Sequence, residues 1–317
     1  SVLGYVKQRW RWMQHLPFAG LKESARVFCF LDLEHPAVAW AVMRGMLVSA
    51  DYASAPQNPG FISFMQAGIV ETLNNPRVFN EFFMEAVRLS LFAHRVSRMR
   101  GMFFFRSRDE AEARIGDCKW PPYFESKNLL ELELRHSEPF SDVDANWITF
   151  APVREDGRIP IGDLQWARRY WAGESYSDRP VWERIAKGVA LVLDEQVRRQ
   201  CYEYLRELFP GSHIPILMAR LASEAGTRGG LIAPFLQRED EDHVLLGYLW
   251  SDAEFHDLAV VEAIKKHPDS GALFRMIVEN ATWKSPDFRP WGKVFKLGEQ
   301  NLPGLTPVQV PSVHHPK

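Results

Sequence analysis

The sequence predicts an α+β protein, with a sheet-bearing N-terminal domain over residues 1–208 and a mainly α-helical extension with an extended tail over 209–317. Three observations carry this. Short apolar runs of strand length alternate with helical patterns through the first two thirds of the chain. From residue 195 onward, helical apolar spacing recurs in successive segments separated by Gly- and Pro-bearing loops. A hydrophobic fraction of 46% beside 25% charged residues is that of a folded globular chain, and 317 residues leave room for two domains.

In chain order, residues 2–13 alternate Trp10 and Trp12 with Lys7, Arg9 and Arg11. A strand with an aromatic and a basic face, an amphipathic helix and an RNA-contacting segment all fit that pattern. The run VFCFL at 27–31 reads as a buried strand. Pro36 then opens a helix through Met43, and Gly45 is placed to cap it before a second strand in MLVS. Phe79, Phe82, Phe83, Ala86, Val87 and Leu91 recur at helical spacing and predict a core-facing stripe.

In MRGMFFFRSRDEAEARIG, residues 102–105 read as a strand and 108–115 as a short helix. Strand alternation sends Phe103 and Phe105 to one side and Phe104 to the other. Leu and Glu alternate over 128–134, predicting a half-buried strand with Glu131 and Glu133 on one face. That pair is either a carboxylate couple with one raised pKa or the outer face of an edge strand. Residues 147–153 read as a further strand, 163–171 as a helix ending near Gly173, and 181–194 as ambiguous. Residues 195–208 read as a helix stopped by Pro210-Gly211, which sets the expected domain boundary.

With 38 basic and 40 acidic residues, the average charge gives no long-range pull toward nucleic acid or an anionic membrane. No apolar run approaches the length of a membrane span, and the opening residues lack the apolar centre of a signal peptide. The three cysteines, Cys29, Cys118 and Cys201, lie far apart without a CxxC, which argues against a disulfide framework or zinc site and fits the cytoplasm. G-x-G-x-x-G, G-x-x-x-x-G-K-[ST], H-E-x-x-H and G-x-S-x-G are all absent. EFHD at 254–257 and REDEDH at 238–243 hold metal-ligand types, but a helix start and a solvated turn explain them more simply.

Three segments in order resemble the ADP-ribosyltransferase-like fold. VFCFLDLEHPAVAWAVMRGMLVS is similar to its opening strand unit, RGMFFFRSRDEAEARIG to the strand whose end meets nicotinamide, and DRPVWERIAKGVALVLD to the late strand begun by a ribose-contacting Glu. With NEFFMEAVRLSLFAHRVSR and WARRYWAGES, the resemblance is to a poorly characterised bacterial family with ADP-ribosyltransferase-like features, over roughly residues 26–195. It implies a mixed, twisted sheet, NAD as cofactor, nicotinamide displacement, and transfer of ADP-ribose to a protein or nucleic-acid acceptor, or to water in an NADase. Toxin, effector and phage-defence roles, and an operon-encoded partner or antitoxin, follow from the resemblance alone.

The resemblance assigns Glu183 as the catalytic carboxylate, stabilising positive charge on the ribose; the competing reading is an exposed helical Glu paired with Lys187. Phe105 or Ser107 takes the nicotinamide side. Cys29 stands where the pattern expects His or Arg, so Arg26 or Arg98 is expected to hold ribose or phosphate. Arg95, Arg100, Arg106 and Arg108 form either a phosphate-binding set with Arg98 or a solvated rim. The mismatch at Cys29 favours a rival reading, a non-catalytic interaction protein on the same fold. A third reading is a glycosidic-bond hydrolase using Glu131, Glu133 or Glu183.

Overall fold

The computed structural model describes residues 20–53, 60–72, 75–279 and 282–297, together with the strand at 305–307. The basic-aromatic segment 2–13 and most of the expected tail lie outside them. The architecture is α+β, as the alternation of patterns predicts, but every strand pairing among the described residues is antiparallel rather than mixed.

Three sheets form the frame. The first has the order β1 (Glu23–Phe30), β5 (Leu129–His136), β8 (Val189–Val192), β2 (Met46–Val48). The second is β4 (Met102–Phe104), β7 (Trp182–Ala186), β6 (Ser141–Asp144). The third runs β12 (Leu305–Pro307), β11 (Lys293–Leu297), β10 (His243–Trp250), β9 (Ile232–Arg238), β3 (Gly60–Phe61). The expectation of a mixed sheet fails because β1 and β2, although joined through a helix, are separated by β5 and β8 and never become parallel neighbours.

Local chemistry explains where elements start and stop. Helix α1 (Pro36–Arg44) opens on Pro36 and closes at Gly45, whose φ of 75° suits a residue without Cβ. Ser63 caps α2 (Phe64–Glu71), accepting from the Gln66 N–H. In α3 (Asn75–Leu91), Phe79, Phe83 and Val87 are buried, whereas Phe82 and Leu91 are exposed, so the predicted stripe is only half core. Ser107 caps α4 (Arg108–Glu112), α5 spans Leu164–Ala172, and Asp194 caps α6 (Glu195–Leu208).

The expected strand at 147–153 is instead a helical turn, Asn146–Thr149, followed by irregular chain. Buried Asp144 explains this, because its carboxylate accepts the N–H groups of Asn146, Tyr176 and Val181 and bends the chain. The ambiguous stretch 181–194 becomes β7 and β8, which enter different sheets through Lys187-Gly188. A Cβ on Gly188 would lie 2.1 Å from the Arg135 carbonyl oxygen, so only glycine lets this corner meet β5.

The C-terminal third departs from the mainly helical expectation. It holds α7 (His213–Glu224), α8 (Leu258–Lys265) and α9 (Ser270–Glu279), but also β9 to β12. REDEDH is the turn of the β9–β10 hairpin, closed by Asp240 accepting from the Asp242 and His243 N–H groups. β3, from the N-terminal half, adds to the same sheet. One apolar core joins Val27, Trp40 and Leu132 with Leu205, Ile216, Ile232 and Phe288, crossing the expected boundary at 208. Trp40 is fully buried and its indole N–H donates to the Gly230 carbonyl at 2.7 Å.

Trp40→Ala is expected to cost about 3–5 kcal/mol in urea denaturation. A single cooperative transition is expected at both fluorescence and circular-dichroism wavelengths. Two separated transitions would show that the chain on either side of 208 folds independently.

Candidate functional site

The densest arrangement of buried charge in the second sheet centres on Arg98, in the turn before β4. Its side chain is almost fully buried, and a guanidinium can be buried only when its N–H groups find acceptors. Nε and Nη2 donate to the two oxygens of Glu81 on α3, both at 2.8 Å. Nη1 donates to the Tyr170 hydroxyl on α5 and lies 3.6 Å from Glu183 Oε2 on β7. Gln66 of α2 donates to Glu81 Oε2 at 2.9 Å, and the Phe103 ring lies 5.0 Å from the guanidinium carbon. One cation thus holds two carboxylates and a phenol that come from three other parts of the chain.

The two carboxylates are unequal. Burial alone pushes Glu81 up, but the charge and paired hydrogen bonds of Arg98 more than reverse this and hold it below the usual carboxylate value. Glu183 has only the longer contact, so burial dominates and, with the neighbouring charge of Glu81, leaves its pKa raised. Burial and Glu81 act on Arg98 in opposite senses, and Glu81 prevails, keeping the guanidinium charged. Environments that push neighbouring acids apart are the usual way of dividing acid and base roles.

Glu81 also lines a cavity of about 420 Å³ beside α3, whose wall includes Arg77, Asn80, Ile148, Glu155 and Ile159. Asn80 holds the far wall: its amide donates to the Gly157 carbonyl at 3.1 Å and its oxygen accepts the Ile159 N–H at 2.9 Å. The Glu81 carboxylate itself is buried, with both oxygens bonded to Arg98 and Gln66.

The resemblance-derived residues separate. Glu183 and Arg98 come together, and Glu183 lies on a strand, not on an exposed helix; Lys187 pairs with Glu138 instead. Arg98, expected to hold ribose or phosphate, is buried with each guanidinium nitrogen bonded to a protein partner, and it positions carboxylates. Arg26 is 73% exposed on β1 and pairs with Glu131 at 2.9 Å. Cys29 is buried in the apolar core, where burial pushes its thiol up to about 12. Phe105 packs among Phe30, Trp120 and Phe124 rather than facing a cleft. Ser107 spends its hydroxyl as the cap accepting from Glu110 N–H.

The remaining arginines of the basic cluster are likewise engaged. Arg95 donates to the Ala172 carbonyl, and Arg100, Arg106 and Arg108 pair with Asp51, Glu110 and Glu112. This is the rim arrangement, not a convergent phosphate grip. Glu133 pairs with Arg135, so Glu131 and Glu133 do not form an acid couple. These residues, as placed, do not form a cradle for NAD.

Sequence reading missed Glu81 and Tyr170. The signal for Glu81 is a carboxylate in the middle of a phenylalanine-rich helical run, and Tyr170 sits between apolar positions of WARRYWAG. Comparison with protein-family models found no match, and comparison with curated proteins found none. No helix among the described residues is long and apolar enough to cross a membrane.

Removing Glu81 strands a buried guanidinium, so Glu81→Gln is expected to cost about 3–5 kcal/mol. Glu183→Gln is expected to be nearly neutral at low pH. Because the folded pKa of Glu183 is raised, its ionisation opposes folding as pH climbs from the ordinary carboxylate value through the raised one. Glu183→Gln is therefore expected to gain stability over wild type across that window in pH-resolved urea melts. Glu81 acts in the opposite sense, its contribution fading as pH falls through its lowered pKa.

Proposed function

We propose that the chain is an enzyme of glycosidic-bond chemistry with Glu183 as its carboxylate. The specific reaction is ADP-ribosyl transfer from NAD, the substrate implied by the sequence resemblance. The observation that supports this is the contact between Glu183 and Arg98, brought together from a strand and a distant turn. Glu183 is buried, with a side-chain exposure of 11%, so a substrate would reach it only through that remaining surface. When ionised, such a carboxylate stabilises positive charge developing on a sugar ring, or takes a proton from an acceptor. Arg98 orients it and limits the rise of its pKa. The residues assigned to holding NAD do not fit that task, so the dinucleotide would need other contacts. The acceptor class, protein or nucleic acid, remains part of the proposal.

The second reading, a non-catalytic interaction protein, is favoured by the burial of Arg98 among protein partners and the packing of Phe105.

Incubation of the full chain with NAD while free nicotinamide is followed separates the two. Release is expected, with a loss of about 100-fold or more in Glu183→Gln. The rate is expected to fall with decreasing pH through a pKa above the usual 4.5 of a glutamate, because the raised group must be ionised to act. Absence of both release and an NAD-induced thermal shift would favour the interaction protein.

A further inference from the structure

A second cavity, of about 430 Å³, lies between α6, α7 and the α8–α9 connection and shares no lining residue with the first. Its floor is a closed ionic network around Glu224, which is 9% exposed. Glu224 Oε1 accepts from Arg198 and, at 3.2 Å, from Arg220; Oε2 lies 3.0 Å from His267 Nε2. Arg220 also reaches Asp269 at 3.1 Å. Burial opposes ionisation of Glu224, but His267 and the two guanidinium groups overcome it and hold the carboxyl far below its usual value.

Glu224, His267 and Asp269 present ligand-type atoms close together, as a divalent cation would need. Their bonding speaks against one. The Asp269 N–H donates to His267 Nδ1 at 3.1 Å, so Nε2 carries the proton and points it at Glu224. Neither ring nitrogen then has a lone pair to offer. A cation on Glu224 Oε1 would also have to displace two guanidinium groups.

The upper wall has the opposite need. Arg199, which follows Arg198 on α6, and Lys266, at the end of α8, are exposed, line the cavity and have no ion pair or side-chain hydrogen bond among the described residues. Met43, Ala225, Ala263 and Tyr202 supply an apolar side to the same space. Glu195, one turn before Arg199, faces it too and favours a ligand carrying a hydroxyl or amino donor. Two unpaired cations over a carboxylate floor already filled by cations call for an anion with several acceptor oxygens.

We propose that this cavity binds a phosphorylated small molecule, such as a nucleoside monophosphate or sugar phosphate. Arg199 and Lys266 hold the phosphate, Glu195 meets a hydroxyl or amine, and the organic part lies against Tyr202. The volume matches a ligand of that size.

Calorimetric titration of the full chain with AMP, ribose 5-phosphate and inorganic phosphate tests this, with zinc and manganese as counter-probes. Saturable binding of AMP or ribose 5-phosphate, at least threefold tighter than phosphate, is expected. The exposed double variant Arg199→Ala/Lys266→Ala is expected to fold with an unchanged melting temperature and to lose binding at least tenfold. Glu183→Gln is expected to bind as wild type does, which separates this site from the Glu183 centre. No saturable binding of the phosphorylated probes, undiminished binding in the double variant, or binding of a divalent metal alone would overturn the proposal. Equal affinity for AMP, ribose 5-phosphate and phosphate would overturn the role given to the organic part.

Discussion

The buried guanidinium of Arg98 is the constraint around which the second sheet and its helices are arranged. A cation out of water requires acceptors in fixed directions, and here they are Glu81, Tyr170 and, at longer range, Glu183. Meeting that need ties α3 and α5 to β7 and brings Gln66 of α2 in behind Glu81. The same arrangement leaves Glu183 with only the longer contact to Arg98, so burial outweighs that contact and its pKa is raised.

The FFF stretch shows how the sheets are coupled to this centre. Phe103 faces Arg98, Phe104 enters the large core, and Phe105 exchanges two backbone hydrogen bonds with Phe28 of β1, at 3.1 and 2.7 Å. Strand alternation correctly separates Phe104 from its neighbours. It does not anticipate that Phe103 and Phe105 part company, because after Phe104 the chain leaves β7 to bridge a different sheet. The expected nicotinamide position is thereby filled with aromatic packing.

Legibility in the sequence follows the range of the forces involved. Elements governed by local chemistry are read closely: α1 between Pro36 and Gly45, α6 between its Asp194 cap and Pro210, and the solvated turn at Asp240. Elements decided by distant partners are not. The 147–153 segment looks like a strand until the Asp144 carboxylate gathers the nearby Asn146 N–H together with two from the distant 176–181 stretch. The β9–β10 hairpin and the shared core across residue 208 depend on β3 and α1, far away in sequence. In the site, Glu183 and Arg98 are both singled out by the sequence, but their contact is not, and Glu81 is not singled out. Arg26, Cys29, Phe105 and Ser107 were read from position in a pattern, and pairing, core burial, aromatic packing and capping claim each of them.

The central claim is that Arg98 divides two buried carboxylates into one held ionised and one poised to take a proton. Carbon-detected NMR titration of the glutamate side-chain carboxyls, with Glu183 assigned through the Glu183→Gln variant, tests it most directly. A Glu183 pKa above 4.5 with Glu81 below 4.5 is the expected result. A Glu183 that titrates at or below that value, or a Glu81 that titrates above it, would contradict the account.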